Sequence, residues 1–457
     1  MNSLQQYLDI YTGERDLIDA HSAPLLNRLR PEAYEVLSSA TLPAHGDENY
    51  VHTSPADIYA FDYGLNLSRL AFPADTARTF RCGVPNMSTL LGVVVNDTFA
   101  PSRTLRDNCP QGVSFLSLRR AAIEMPQLVE RAYGSAADLS DPATALNTLL
   151  CQDGVLIHIA EGVRLEKPLQ LVNIFSAPTS LLAPRRVLIV AERGSSAEIL
   201  ICDHTQDNST HYLDANVTEI IVAEDARLDV CHIEESSALT ARHANIYVRQ
   251  AERSDFHFTE ATLTCGTTRN NFSIDLSGAE ASAQLASMAI ASGRQTVDNN
   301  IVLRHLAPHT SSRQHFKYVL DDEARGTFSG RILVSAKAPY TDAFQTNRNI
   351  LASSTARMHT KPQLEIYTDD VKCSHGATTG QLDSEALFYM QTRGIPEAEA
   401  RHMLMQAFMA DVIDTVRIEG LRDRLRHLVE RRFTARHASG CTEGCMPNCN
   451  EHFTPQQ

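Results

Sequence analysis

A short segment, Ala-Glu followed by a turn residue, returns four times in the middle of the chain. AEGVRL, AERGSSAEIL, AEDARLDV and AERSDFHF begin at Ala160, Ala191, Ala223 and Ala251, at intervals of 31, 32 and 28 residues. A turn followed by a strand, repeated roughly every 30 residues, is the pattern of a solenoid. Each coil of such a fold buries its inward side chains only by stacking on the next. The intervening runs, among them GVLIHI, RVLIV, EILIC, EIIVA, RLDVCHI, ANIYV, DFHFTEATLT, NFSIDL and AQLASMAIA, alternate with period two and are rich in β-branched residues. No helical stretch of convincing length separates them, so βαβ crossovers are not expected. The simplest reading is a parallel β-helix over residues 141–382. A β-sandwich with strands of similar length is the alternative.

The flanks have a different rhythm. Residues 1–140 read as helical and irregular, with Leu4, Tyr7, Leu8, Tyr11, Leu17 and Ile18 at helical spacing. A helix is expected over 117–133, with Pro126 starting or kinking it. The 3.6-residue period returns in a C-terminal helical domain, 383–437. There Asp383 caps a first helix, Gly394 ends it, and Pro396 opens a second. Ala400, Met403, Leu404, Ala407, Phe408 and Val412 form one apolar stripe on that second helix. A third helix, about 419–434, carries five arginines. Residues 438–457 form a Gly-, Pro- and Asn-containing tail, expected to be disordered.

Composition narrows the function. Forty-one Lys and Arg against 55 Asp and Glu give a formal charge of −14, which argues against broad nucleic-acid or anionic-membrane binding. Trp is absent and aromatics make up 6%, too few for base-stacking platforms. No stretch approaches the roughly 18 apolar residues of a membrane span. The first residues lack a basic segment followed by an apolar one, so a cytoplasmic protein with reduced thiols is expected. Ten cysteines in 457 residues are too dilute for a disulfide scaffold. Seven are scattered, and Cys441, Cys445 and Cys449 crowd into the tail, followed by His452. Three cysteines and a histidine suit zinc or an iron–sulfur cluster. Gly444 and Pro447 between them favour a flexible thiol tail without a fixed metal.

No GxSxG, GxxxxGK[ST], HExxH or paired CxxC motif is present. Without the phosphate loop the chain is not expected to bind ATP by that route. The densest chemistry lies in QLEIYTDDVKCSHGATTGQLD, residues 363–383. Cys373 and His375, two apart, point to one face of a strand, about 7 Å apart at their Cα atoms. A thiolate and a neutral imidazole suit iron or zinc. Asp369, Asp370 and His359 lie nearby in sequence. Two ligands do not complete a site, so others must come from elsewhere in the fold or from a second chain. A buried structural cysteine beside a hydrogen-bonded histidine is the plain alternative.

The segment KPQLEIYTDDVKCSHGATTGQLDSEALFYMQTRGI at 361–395 closely resembles the SufB/SufD family of the SUF iron–sulfur cluster assembly machinery, in its SufD form. So do 153–174, 186–199, 312–332 and 341–353, in the family's order; the resemblance covers about 40–415. Gly376 after the histidine follows the SufD version, where SufB characteristically has Glu. The resemblance implies a right-handed parallel β-helix between helical N- and C-terminal domains. It implies pairing with SufB through the β-helices and binding of the ABC-type ATPase SufC through the C-terminal helices, where Leu387, Phe388, Met403, Leu404 and Phe408 are the expected contacts. It implies a transient iron–sulfur cluster, or iron, at the interface with SufB. His375 is the leading ligand and Cys373 a weaker one. One departure stands out: where the family carries a motif of the type REExWRYT, this chain has GDENYVHTSP at 46–55, with Tyr50 in place of Trp.

The expected role is thus a non-enzymatic scaffold. Two other readings stay open: a SufB-like homodimeric scaffold, and a carbohydrate-active β-helix enzyme using Asp321, Asp322, Arg325 and Arg331.

Overall fold

The computed structural model describes residues 3–74, 89–418 and 420–438. Cys82 and the tail with Cys441, Cys445, Cys449 and His452 lie outside the described residues. Helices α1 (Gln5–Ala20), α2 (Pro24–Asn27), α3 (Arg30–Ser39) and α4 (Pro55–Ile58) come first. The hairpin β1 (Leu90–Val95) and β2 (Thr98–Pro101), helix α5 (Arg103–Asn108), β3 (Val113–Ser117), and helices α6 (Leu118–Glu124), α7 (Pro126–Ala132) and α8 (Pro142–Leu150) follow. Then come β4 (Val155–Ile159), β5 (Leu169–Phe175), β6 (Leu181–Ala191), β7 (Ser196–Thr205), β8 (Tyr212–Val222), β9 (Arg227–Glu235), β10 (Thr240–Gln250) and β11 (Asp255–Thr264). The run continues with β12 (Thr267–Leu276), β13 (Ser282–Ala291), β14 (Thr296–His305), β15 (Ser311–Leu320), β16 (Arg325–Val334), β17 (Thr341–Leu351), β18 (Arg357–Ile366) and β19 (Val371–Gly380). Helices α9 (Ser384–Thr392), α10 (Glu397–Ile413) and α11 (Leu421–Ala438) close the described chain.

From β4 onward every strand pairs in parallel with the strand two places on. Even-numbered strands build one sheet and odd-numbered strands the other, so the chain winds as a flattened parallel β-solenoid with two strands per coil. The register is continuous, as in β12 to β14, where Thr267 meets Thr296 and Leu276 meets His305. Period-two alternation therefore sends one set of side chains between the sheets. Ile157, Ile189, Leu228, Ile246, Phe272, Ile301, Phe316 and Phe328 belong to that interior core. The repeat expected from sequence is this coil.

The Ala-Glu segments mark one corner of it. Gly162, Gly194, Asp225, Arg253, Glu280, His309 and Tyr340 all have left-handed φ, between +52° and +70°. Each corner amide donates to a carbonyl of the next coil: Gly194 N to Glu224 O at 2.9 Å, Asp225 N to Glu252 O at 3.0 Å, Arg253 N to Ala279 O at 2.9 Å. The corner is thus a stacked ladder of turns. Only two of its seven positions are glycine, and that is why the sequence repeat is faint.

Helices cover both outer faces. On the even sheet, α1, α3 and α8 bury Tyr7, Leu37, Leu146 and Leu149 against Leu182 and Leu213. Helices α6 and α7 pack beside them, split at Pro126, which takes the first position of α7. On the odd sheet, α10 and α11 lay Met405, Met409, Val412, Leu425, Leu428 and Phe433 over Ile174, Leu200, Ile233, Met288 and Val319. Helix α8 was not anticipated from sequence. It is nine residues long and buried on all sides from Ala143 to Leu150, too short and too enclosed to stand out from the sequence around it. The LLGVVV run is also more than an irregular piece of the N-terminal region: as β1 it is a rung of the odd sheet, paired with β5.

The two ends differ. At the start of the solenoid, β2 and β3 run antiparallel to β1 and β4 and close it. Phe99 and Phe115 stack there at 5.3 Å over Gly92, where a Cβ would lie 2.5 Å from Phe99. At the other end β18 and β19 are the outermost strands of their sheets. Neither contains a buried residue.

Candidate functional site

Strand β19 places both predicted ligands on the inward face. In its register with β17, Ala343 meets Cys373 and Gln345 meets His375. Ala343 is fully buried with Ile332, Val334 and Ala338, and Cys373 leans on that cluster. Burial raises the Cys373 thiol above its usual range, so it is held as the neutral thiol more firmly than a free cysteine. His375, one step further along the strand, is exposed. Behind it the polar column continues inward, with Gln345 Nε2 donating to Gln314 Oε1 at 2.8 Å. Cys373 and His375 therefore point between the two sheets in the last coil, where no described strand lies over them.

The other nearby candidates do not join them. Asp369 and Asp370 sit at the corner before β19 and line a cavity of about 440 Å³ with Tyr340, Asp342 and Lys372. His359 lies on the outer face of β18, stacked at 3.6 Å on His52. Lys361 on the same face pairs with Glu48. These contacts belong to a strap, residues 44–54, that crosses the even sheet. Tyr50, standing where the family motif has Trp, lies 4.5 Å over the buried guanidinium of Arg269, which is itself paired to Asp298 at 2.5 Å. Burial pushes the Tyr50 phenol up to about 12. The position thus keeps an aromatic packing task. Among the described residues no three His, Cys, Asp or Glu side chains are grouped to hold a metal.

The residues expected to meet an ATPase partner are distributed unevenly. Helix α9 is capped as expected, Asp383 Oδ1 accepting from Glu385 N and Ala386 N, and it contains no buried residue. Phe388 is 68% exposed and Leu387 half-buried. On α10 Met403 is 44% exposed, while Leu404 and Phe408 are half-buried. The buried face of α10 is Ala400, Met405, Met409, Val412 and Ile413. This corrects the predicted stripe, of which Ala400 and Val412 alone are buried. The helix is apolar on more than one side, so spacing did not decide which side meets the sheet.

The residues suggested for a carbohydrate enzyme are not assembled. Asp322 Oδ2 accepts from Gly293 N at a corner, Arg331 lies 3.6 Å from Glu365, and Asp321 lines a cavity beside α10.

Sequence reasoning missed a polar column inside the solenoid. Asn173 donates to Asp203 at 2.6 Å, and His232 Nε2 lies 2.8 Å from the other Asp203 oxygen. His232 Nδ1 is 3.4 Å from Glu260, near enough for charge attraction but without a hydrogen bond. Asn270 bridges Glu260 and Asn299 at 2.8 Å each, and Asn299 reaches the Tyr318 hydroxyl at 2.7 Å. Burial opposes charge on Asp203, yet His232, Arg242 and Arg185 overcome it and hold the carboxyl well below the usual range. Burial and Arg242 oppose charge on His232, but Asp203 and Glu260 raise it to about 9. The available signal was polar residues at inward phase within otherwise apolar strands.

Among the described residues no helix is long and apolar enough to cross a membrane. Residues 174–408 match the family described as SUF system FeS cluster assembly, SufBD core domain, and residues 1–171 match the SufBD protein N-terminal region. The chain is 27% identical over 429 residues to an iron–sulfur cluster assembly SufBD family protein of Synechocystis, covering 92% of this chain and 94% of that protein. It is 33% identical over 286 residues to the iron–sulfur cluster assembly protein SufD of Escherichia coli, covering 61% and 67%. It is 27% identical over 337 residues to SufD of Bacillus subtilis, covering 72% and 76%. With the solenoid, its helical flanks and both family regions present, the chain belongs to the SufBD family of SUF-system iron–sulfur cluster assembly proteins.

Proposed function

We propose that this chain is a SufD-type scaffold subunit, without catalysis of its own, that pairs through its open coil with SufB and carries SufC on α9 and α10. In this reading His375, with Cys373 in the weaker role, holds iron or the nascent iron–sulfur cluster as cargo at the interface with SufB. ATP is bound by SufC and not by this chain. The observation that carries the reading is the open end itself. Among the described residues two uncapped ten-residue strands offer their edges to another chain, and the Cys373–His375 pair sits on one of them, short of the ligands a metal needs. The exposed Phe388, Tyr389 and Met403 supply an apolar surface suited to a second partner.

The test is anaerobic cluster reconstitution of the complex with His375→Ala. Loss of most of the cluster per complex is expected, and unchanged loading removes the ligand role. A self-paired scaffold is a second reading, favoured by the same open edges. Co-purification separates the two: recovery with SufB and SufC supports the first, and a stable self-pair as the sole species supports the second.

A further inference from the structure

Helix α10 meets the odd sheet through a polar contact that starts from the sheet and not from the helical layer. Arg401 of α10, with Arg417 and Arg432 beyond it, reaches from the helical layer to the sheet. Lys317 on β15 instead reaches out from the sheet. Its side chain is 5% exposed, and Nζ lies 2.6 Å from each carboxylate oxygen of Asp411. The same ammonium donates to the Phe408 carbonyl at 2.6 Å and stands 4.3 Å over the Phe408 ring. A buried ammonium left without these partners is strongly disfavoured. The place of Lys317 is therefore tied to the place of α10.

The contact continues along the sheet. His315, on the same outer face of β15, puts Nε2 3.3 Å from Asp411 and Nδ1 2.8 Å from the Thr346 hydroxyl of β17. Thr346 pairs in register with Gly376 of β19, the neighbour of His375. Behind the same two residues, Thr346 Oγ1 donates to Gln314 O, and Gln345, paired with His375, donates to the Gln314 side chain. On α10, Leu404, Phe408 and Asp411 share one face at helical spacing. A partner gripping the half-buried Leu404 and Phe408 thus acts on the group that holds Lys317.

We propose that Lys317 is a positioning residue: it makes strand β19, and with it His375, follow the position of α10. This rests on the reading of α9 and α10 as the SufC surface and sharpens it into a named point of transmission. The lysine touches neither the cargo nor the partner.

The experiment uses the full chain in complex with SufB and SufC. Hydrogen exchange of the 371–380 amides is followed with and without ATP, alongside SufC affinity. The unsubstituted complex is expected to show a nucleotide-dependent change in this strand. Lys317→Met keeps the aliphatic stem and removes the ammonium. It is expected to abolish that change while leaving SufC affinity intact, and Lys317→Arg is expected to restore it. Asp411→Asn provides a second route to the same loss should Lys317→Met fold poorly. A nucleotide response in Lys317→Met and Asp411→Asn equal to that of the unsubstituted complex overturns the proposal and leaves the SufC reading standing. No response at 371–380 in the unsubstituted complex, with SufC bound, overturns the proposal alone; no SufC binding overturns the SufC reading and the proposal with it.

Discussion

If the corner ladder sets the coil, the same substitution, glycine to alanine, must have opposite effects at Gly194 and Gly376. A Cβ at either position meets nothing within 4 Å, so packing does not enter. Gly194 has φ +64° and is held there by its amide bond to Glu224 O. Placing a Cβ at left-handed φ costs about 1–2 kcal/mol. Stiffening the unfolded chain returns about 0.4–1 kcal/mol, so Gly194→Ala is expected to lose roughly 1 kcal/mol. Gly376 lies in the extended strand β19 without positive φ, and Gly376→Ala is expected to gain about 0.5–1 kcal/mol. The reverse change completes the series. Glu280 occupies the ladder at φ +61° and makes no side-chain hydrogen bond or ion pair among the described residues, so Glu280→Gly is expected to be neutral to stabilising by about 1 kcal/mol. Urea titration followed by circular dichroism reads all three, with shifts in midpoint at constant slope. Shifts of Gly194→Ala and Gly376→Ala in the same direction would refute the conformational account of the repeat.

Two further outcomes concern buried charge. Glu219, fully buried, pairs with Arg186 at 2.5 Å and accepts from the amides of Gly134, Ala136 and Ala137 at 2.9–3.1 Å, tying the loop after α7 to β8. Glu219→Ala leaves a buried guanidinium and is expected to cost about 3–5 kcal/mol in urea unfolding; adding Arg186→Met should recover much of it. The second outcome is a fall of stability with rising pH. Burial pushes Glu234 up to about 7 from 4.5, so the unfolded chain ionises first and stability drops between pH 4.5 and 7. His232, raised from 6.5 to about 9, stabilises the fold below pH 6.5, and that contribution is lost as pH rises through 9. Within each window the slope is at most about 1.4 kcal/mol per pH unit. Urea midpoints against pH should flatten below pH 7 in Glu234→Gln and above it in His232→Gln.

What the sequence disclosed follows from which contacts are local. The solenoid was legible because each coil repeats the same turn and the same inward phase, as at Ala191, Ala223 and Ala251. Asp383 and Gly394 were legible because a cap is settled within four residues. Helix α8 was not, because its burial depends on three neighbours distant in sequence: Asn147 bonds the carbonyls of both Arg185 and Ala215, and Thr144 meets Tyr247. The face of α10 was misjudged for a related reason. Its apolar residues surround the helix, and what selects Met405 and Met409 as the buried side is a pair of polar anchors, Lys317 and Arg401.

The candidate site is a special case of the same logic. Cys373 and His375 stand at positions that in earlier coils are covered by the coil that follows. Ala343 and Gln345, their partners on β17, are buried at 0% and 1% exposure because β19 lies over them. Among the described residues no further coil follows: the chain leaves the solenoid after Gly380 and turns into α9, so Cys373 and His375 are not covered as Ala343 and Gln345 are. An inward-facing thiol and imidazole at a coil that no described residue covers can be reached along the solenoid axis, and that is the approach the proposed pairing requires. The opposite end is closed by the chain itself: β2 and β3 reverse direction there and the Phe99–Phe115 stack seals the core, so no parallel edge is offered as it is at β18 and β19.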